Sequence, residues 1–287
     1  YGDEMVFSWS FRLPRRVHWK PDFSQDDLLG NNYICHPVLF RAALFREAGG
    51  FRSGFDGAQD HELFLRLTAL ARQVVHVPRV LYFWRSHAGS VASGIGAKSY
   101  AQAAGQRAVE DFLHSAGCMA EVEEVPPSIY RVHFPSGETA EGFSVVIPCR
   151  RLPWELLAEL EAEPLVREIV CVSSGSGPEG AGALSGKARQ VVFADAFDYG
   201  RMAWLGAQAA RSPFLLFLAE DMRLAAPGTL AELLSQVRRP ETALIGSLTL
   251  RGRKLLQAGL RRDASGSWHM EYRGVDEVYE GYMRRLL

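Results

Sequence analysis

Between residues 143 and 237 the chain switches repeatedly from runs of strand length to patterns of helical period, and few folds accommodate that alternation. Phe143-Ser144-Val145-Val146-Ile147 reads as a buried strand stopped by Pro148. Leu156, Leu157 and Leu160 share a helix face, residues 168–172 and 190–193 are further strands, residues 201–210 a helix and residues 214–218 a fourth strand. Leu230, Leu233, Leu234 and Val237 recur at i, i+3, i+4 and i+7, the stripe of a core-facing helix. Strands and helices in this order predict an α/β fold with a parallel sheet covered on both faces. Ligands of such sheets sit beyond the carboxyl ends of the strands. Three loops are expected there: Pro148-Cys149-Arg150, residues 173–177, and Ala219-Glu220-Asp221. Adjacent acids at a strand end suit Mg²⁺ or Mn²⁺, hard ions that prefer oxygen ligands. The competing reading of Glu220 and Asp221 is a solvated turn.

The preceding part, residues 1–92, reads as strands and short helices with long loops. Residues 41–48 look helical, and Gly49-Gly50 supply a left-handed C-cap. Leu63, Leu67 and Leu70 fall on one helical face, which puts Asp60 in the first turn, after a glycine-rich approach. An acid there is placed to take a proton from an incoming hydroxyl. It is equally placed to be a first-turn acid stabilised by the helix dipole. Glu62 reads as a surface acid or as a residue that orients the base region. Residues 74–77 and 80–84 are expected as strands broken at Pro78. Residues 98–116 look like an exposed or lightly packed helix, rich in alanine. Residues 122–142, with Pro126-Pro127 and further Pro and Gly, read as a domain linker.

At 287 residues the chain holds one large or two modest domains. A net charge of −1 with scattered basic pairs gives no electrostatic case for nucleic-acid binding. The four cysteines, Cys35, Cys118, Cys149 and Cys171, lack metal-ligand spacing and do not suggest a disulfide framework; a reducing cytosol fits them best. Apolar runs such as residues 214–219 are too short to span a bilayer. The chain opens on Tyr1 rather than methionine, and it is expected to be an internal piece of a longer protein.

Several segments resemble the family 2 glycosyltransferases, specifically bacterial proteins with two such domains in tandem. Lys20-Pro21-Asp22-Phe23-Ser24, Asn32-Tyr33-Ile34-Cys35-His36, Gly49-Gly50-Phe51-Arg52 through Asp60, and Tyr82-Phe83-Trp84-Arg85-Ser86-His87 look like the second half of one domain. Tyr130-Arg131-Val132 and residues 143–148, 168–176 and 214–221 look like a linker and the first half of the next. The resemblance implies two partial domains of GT-A fold, a Rossmann-like α/β sandwich: residues 1–117 as the C-terminal half of the first, 118–142 as linker, and 143–287 as the nucleotide-binding half of the second. It implies inverting transfer of a sugar from a nucleoside-diphosphate sugar donor to a glycan hydroxyl, in the cytoplasm, with room for peripheral association at the inner face of the membrane. A base removes the acceptor proton, while a divalent cation and basic groups absorb the charge on the departing diphosphate.

By resemblance Asp60 is the base, Asp221 and Glu220 occupy the metal motif, and His87 matches a histidine that reaches the metal or diphosphate. Pro148, Arg150, Ser173 and Gly175 fall at donor-binding positions. Three departures stand out: Ser173 replaces an aspartate, Ala219 replaces the first acid of the metal motif, and Asp198-Tyr199-Gly200-Arg201 replaces an asparagine-rich segment. They keep a second reading open, a catalytically degenerate domain that binds a glycan or a partner enzyme. A third is a nicotinamide-dependent Rossmann enzyme, because Gly175-Ser176-Gly177-Pro178-Glu179-Gly180 fits G-x-G-x-x-G. That motif follows the second strand rather than the first, and Pro178 weakens the helix it needs. The piece by itself is expected to be inactive.

Overall fold

The computed structural model describes residues 1–7, 14–85, 99–125, 128–135, 141–174, 184, 186–262, 265–270 and 272–276. It divides into two units, Tyr1–Pro135 with Ser247–Leu287, and Ser136–Gly246.

In the first unit β1 (Gly2–Phe7) is the middle strand of a three-stranded sheet, antiparallel to β2 (Pro14–His18) and parallel to β3 (Val77–Arg85). The break expected at Pro78 does not occur, and residues 74–76 are not strand. β3 lies at the sheet edge, where a missing N–H costs little, and the irregularity moves into the register of Gly2 and Asp3 against Val77 and Val80.

Three short segments precede the long helix: α1 (Gln25–Gly30), α2 (Ala42–Glu47) and α3 (Gln59–Leu70). Ser24 caps α1 by accepting the Asp27 N–H. Gly49 and Gly50 hold φ of 82° and 68°, and the Gly50 N–H returns to the Phe45 carbonyl, so α2 ends in the left-handed cap expected of it. Leu63, Leu65 and Leu67 of α3 are buried, whereas Leu70, expected on the same face, is exposed.

The helix α4 (Ser99–Ser115) is a core element rather than an exposed one. Ala104 is buried, and Ala108, Val109 and Leu113 share a core with Leu28, Tyr33, Ile34 and Leu63. Its small residues permit close approach: a Cβ on Gly105 would lie 1.9 Å from the Tyr130 hydroxyl. The proline-rich stretch after α4 carries an antiparallel hairpin, β4 (Glu121–Glu124) with β5 (Tyr130–His133), and Val122 and Tyr130 join the same core.

The second unit follows the alternation read from its sequence. β6 (Phe143–Cys149), α5 (Trp154–Ala162), β7 (Val166–Ser174), β8 (Ala188–Phe193), α6 (Tyr199–Ala209), β9 (Phe214–Phe217) and α7 (Thr229–Val237) form a parallel sheet of order β8-β7-β6-β9 with helices on both faces. Ile147, Ile169 and Cys171 pack with Leu156, Leu160, Leu230 and Leu234 of α5 and α7. Val146, Val170 and Val172 point the other way, against Met202 of α6. Each fully buried aliphatic side chain contributes about 1.5–3 kcal/mol. Gly206 brings α6 onto the sheet, since a Cβ there would meet Val146 Cγ1 at 2.4 Å. The fold is thus mixed α/β with a four-stranded parallel sheet.

After the second unit come two hairpins, β10 (Thr249–Arg251) with β11 (Lys254–Gln257) and β12 (Leu260–Arg262) with β13 (Trp268–Met270). Among the described residues no helix is long and apolar enough to cross a membrane.

Candidate functional site

The turn before α3 explains why Asp60 stands where it does. Gly54 and Gly57 adopt φ of 91° and 87°, a region that favours glycine, and the Ala58 N–H closes on the Phe55 carbonyl. Ala58, at the N-cap, offers no side-chain oxygen, so the first-turn donors are open. Asp60 Oδ1 accepts one of them, the His61 N–H, at 2.9 Å. Asp60 is half-buried, and among the described residues it makes no ion pair. A carboxylate held at a helix N-terminus with its second oxygen uncommitted is available to accept a proton.

Its two neighbours turn inward. His61 is buried with Nε2 2.7 Å from the Leu28 carbonyl, and burial pushes its pKa down against that hydrogen bond and the Asp60 charge. Glu62, read from sequence as a surface or orienting acid, is buried and clamps two arginines: it accepts from Arg52 Nη1 at 3.0 Å and from Arg66 Nε at 2.6 Å. Arg66 in turn donates to the carbonyls of Ala48 and Gly50, tying the end of α2 to α3.

A buried polar cluster, absent from the sequence reading, lies in the same unit. Asp3 and Glu4 of β1 are both 1% exposed and Lys20 is 5% exposed. Asp3 Oδ1 accepts from the Lys20 backbone N–H and stands 2.9 Å from His76 Nε2. Glu4 Oε1 stands 2.9 Å from His18 Nδ1, and Lys20 Nζ is 3.7 Å from Glu4 Oε2. That second oxygen has no hydrogen-bond partner. Burial opposes the Glu4 charge, but the His18 hydrogen bond and the charges of Lys20, His18 and His36 outweigh it and hold the carboxyl below its ordinary range. Lys20 donates to the carbonyls of Ile34 at 2.5 Å and His36 at 2.6 Å.

Between those carbonyls Cys35 sits at φ 39°, which a β-substituted residue seldom adopts. Its thiol is pushed up to about 12, by burial first and then by the negative charges of Glu4 and Asp60, with Lys20 opposing. The His36 ring stands edge-on to Tyr82 with centroids 5.3 Å apart and tilted to Trp84 at 5.7 Å. The signal for this cluster was a pair of adjacent acids, Asp3-Glu4, in one strand and His18 with Lys20 at and just beyond the end of another, charges that meet only when the strands pair.

In the second unit the parallel strands bring Pro148-Cys149-Arg150, Ser173 and Ala219-Glu220-Asp221 to one end of the sheet. Glu220 Oε2 accepts the backbone N–H groups of Arg150 at 2.8 Å and Arg151 at 3.2 Å, so it caps the loop that follows Pro148 and Cys149. The Arg150 guanidinium lies 3.8 Å from the centre of the Phe197 ring. Ser173 Oγ accepts from Gln190 Nε2 at 2.7 Å. Asp198 caps α6 through the Arg201 N–H. Asp221 is exposed. Gly175 and His87 lie outside the described residues, as does the rest of the G-x-G-x-x-G stretch. The four cysteines are free thiols.

The fit of a divalent cation rests on oxygen donors. Ala219 supplies none, Glu220 has one oxygen committed to two amides, and among the described residues no three His, Cys, Asp or Glu side chains are grouped to hold a metal ion. The described residues therefore do not fit a cation by themselves.

The architecture so far is a two-unit α/β protein with one parallel sheet. No family model matches the chain, and no solved structure matches it. Two curated proteins are similar in sequence. The Uncharacterized protein y4gI of Sinorhizobium fredii is 34% identical over 291 residues, covering 94% of this chain and 32% of that protein. The O-antigen biosynthesis protein RfbC of Myxococcus xanthus is 33% identical over 239 residues, covering 79% of this chain and 19% of that protein. The chain thus spans a third or less of the length of these relatives.

Proposed function

We propose that this chain is part of a GT-A type glycosyltransferase of family 2, acting in polysaccharide biosynthesis. It moves a sugar from a nucleoside-diphosphate sugar to a glycan hydroxyl with inversion. In this reading residues 1–117 are the acceptor-side half of one domain, 118–142 the connection, and 143–287 the nucleotide-binding half of the next, within a tandem protein. The reading puts the protein in the cytoplasm, with room for peripheral contact with the inner face of the membrane. The likeness to a protein named for O-antigen biosynthesis supports the substrate class.

Asp60 carries the proposal: a half-buried carboxylate without an ion pair among the described residues, fixed by one backbone amide at the mouth of α3. The acceptor hydroxyl attacks the anomeric carbon opposite the diphosphate. A new C–O bond forms, the bond to the diphosphate oxygen breaks, and Asp60 takes the hydroxyl proton. A positioned base of this kind supplies about 10²–10⁴-fold in rate. In the nucleotide-binding half of the next domain, Arg150, exposed and braced on Phe197, presents a guanidinium suited to the diphosphate oxygens of that domain's own donor. Magnesium or manganese belongs to the expected chemistry, although the described donors do not fit it by themselves.

The decisive variant is Asp60→Asn in the protein expressed from its whole reading frame. Release of nucleoside diphosphate coupled to transfer is expected to fall by about 10²–10⁴-fold, with an unchanged circular dichroism spectrum. Normal turnover would remove Asp60 from the mechanism.

One set of observations favours a second reading for the second unit, a binding module without chemistry: Ala219 has no donor, Glu220 serves the backbone, and Ser173 is engaged by Gln190. An assay of donor hydrolysis separates the two, since a binding module releases no nucleoside diphosphate. The motif behind the nicotinamide reading lies outside the described residues, and absence of NADH binding would remove that reading.

A further inference from the structure

The start of α3 is held in an unusual way. Its N-cap residue, Ala58, has no side-chain oxygen to offer, and the chain reaches it through Gly54 and Gly57 at positive φ. A helix start without a side-chain cap leaves its first amides open, and its first turn frays readily. A proton acceptor in that turn keeps its place only if another group holds the backbone. His61, buried in the same turn, is a group of which the function reading above makes no use. Its own N–H is the amide that Asp60 Oδ1 accepts, at 2.9 Å. Its Nε2 stands 2.7 Å from the Leu28 carbonyl of α1. Its ring stacks on that of Tyr130 in β5, with centroids 5.9 Å apart and 22° between the planes. A carbonyl oxygen only accepts, so Nε2 carries the proton of that bond. Burial favours the uncharged ring, whose single N–H then points to α1.

Resting on the reading of Asp60 as the base, we propose that His61 is a positioning residue for it. The Leu28 carbonyl and the Tyr130 ring fix the imidazole, and the imidazole fixes the backbone of residue 61. The N–H of that residue fixes one oxygen of the Asp60 carboxylate and leaves the other for the acceptor proton. The His61 side chain touches no reacting atom. Its effect falls on kcat rather than on donor binding, because it sets the place of the base and not the affinity of the donor.

The test compares His61→Leu, His61→Asn and His61→Gln in the protein expressed from its whole reading frame. Leucine fills the space without a donor. The glutamine amide nitrogen reaches as far along the side chain as Nε2 and donates to the Leu28 carbonyl, whereas that of asparagine stops one atom short. Nucleoside diphosphate release is followed with UDP-, GDP- and dTDP-sugars and polysaccharide from the same organism. With whichever donor the wild type turns over, kcat is expected to fall on the order of 10²-fold in the leucine and asparagine variants, the cost of roughly 1 Å of misplacement. Donor KM stays unchanged, and the glutamine variant keeps the kcat of the wild type. Amide hydrogen exchange is expected to rise at residues 60–61 in the first two variants and to keep its wild-type rate in the third. Histidine-selective ¹⁵N labelling of the wild type, which needs no variant to fold, is expected to show the His61 proton on Nε2.

A wild-type kcat in His61→Asn or His61→Leu overturns the proposal. So does a glutamine variant as impaired as the other two, exchange that rises throughout Tyr1–Pro135, which marks an ordinary core role, or a wild-type ring with its proton on Nδ1. If the leucine and asparagine variants do not fold, the glutamine variant and the wild-type ring decide by the same outcomes. The Asp60→Asn result is separate. If that variant keeps its turnover, or the wild type turns over none of the donors, the function reading fails and the role of His61 toward a base falls with it, while exchange at residue 61 still reports whether the ring holds the turn.

Discussion

The two units bury different chemistry. The first encloses Asp3, Glu4 and Lys20 in one hydrogen-bonded and ion-paired group and, separately, His61 and Glu62 of α3, which bond to the Leu28 carbonyl and to Arg52 and Arg66. The second encloses a sheet of valine, isoleucine and cysteine between leucine-rich helices, and its buried polar residues among those described are two serines, Ser144 and Ser235. An apolar core is non-directional and tolerates adjustment. A buried charge network has one satisfied geometry and is costly in any other. The first unit is therefore where a fixed backbone shape is held at the expense of stability, and the second is where stability comes from area.

The contrast breaks first at its charges. Lys20→Met, which leaves Glu4 buried and uncompensated, is expected to destabilise the first unit by about 3–5 kcal/mol; denaturant titration followed by amide exchange in each unit checks it. A loss below about 1 kcal/mol would mean the pair is not buried in solution. Leu160→Ala, at a fully buried position of α5, should cost the second unit about 2–5 kcal/mol, and by the same amount at pH 5.5 as at pH 7.5.

A pH series sharpens the comparison further. Burial depresses His61 below its ordinary 6.5, so the unfolded chain binds the proton that the folded one refuses. That contribution is complete above pH 6.5 and is lost as pH falls toward the folded value. Glu168, on the second unit, is also depressed. Burial opposes its charge, but Ser144, the Arg211 amide and Arg189 outweigh it, and its contribution is present above its ordinary 4.5 and lost only below. Between pH 6.5 and 4.5 the first unit is expected to loosen while the second holds, read by unit-resolved exchange, and His61→Gln should abolish the difference. The smallest effect is expected from Glu220→Ala, which should raise exchange at the Arg150 and Arg151 amides and leave the rest of the second unit unchanged. If those amides stay protected, Glu220 is not the cap that its geometry indicates.

The second unit was legible residue by residue because its information is local. The run of residues 143–147, the leucines of α5 and the repeat of α7 each state their own period, and a parallel sheet is the one arrangement that buries them all. Misreadings came where one residue stood for a neighbourhood. Pro78 suggested a break because a proline interrupts a ladder, yet β3 presents it at an edge. Alanines suggested an exposed α4, yet small side chains are what let Tyr130 and α3 approach it. Asp60 was visible as a first-turn acid, but its sequence did not tell that Glu62, two residues on, faces inward to Arg52 and Arg66.

By itself the amino-acid order determined the α/β class, the helix caps at Gly49-Gly50 and the placement of Asp60 at the start of α3, since each follows from a period or a backbone preference within a few residues. Only the tertiary structure decided that Asp3, Glu4, His18 and Lys20 form one buried network, that Lys20 grips the turn at Cys35, and that Glu220 is spent on the amides of Arg150 and Arg151. Those are pairings between residues 14 to 70 positions apart. No local pattern encodes them, because the cost of burying a charge is offset by a partner that folding alone brings within reach.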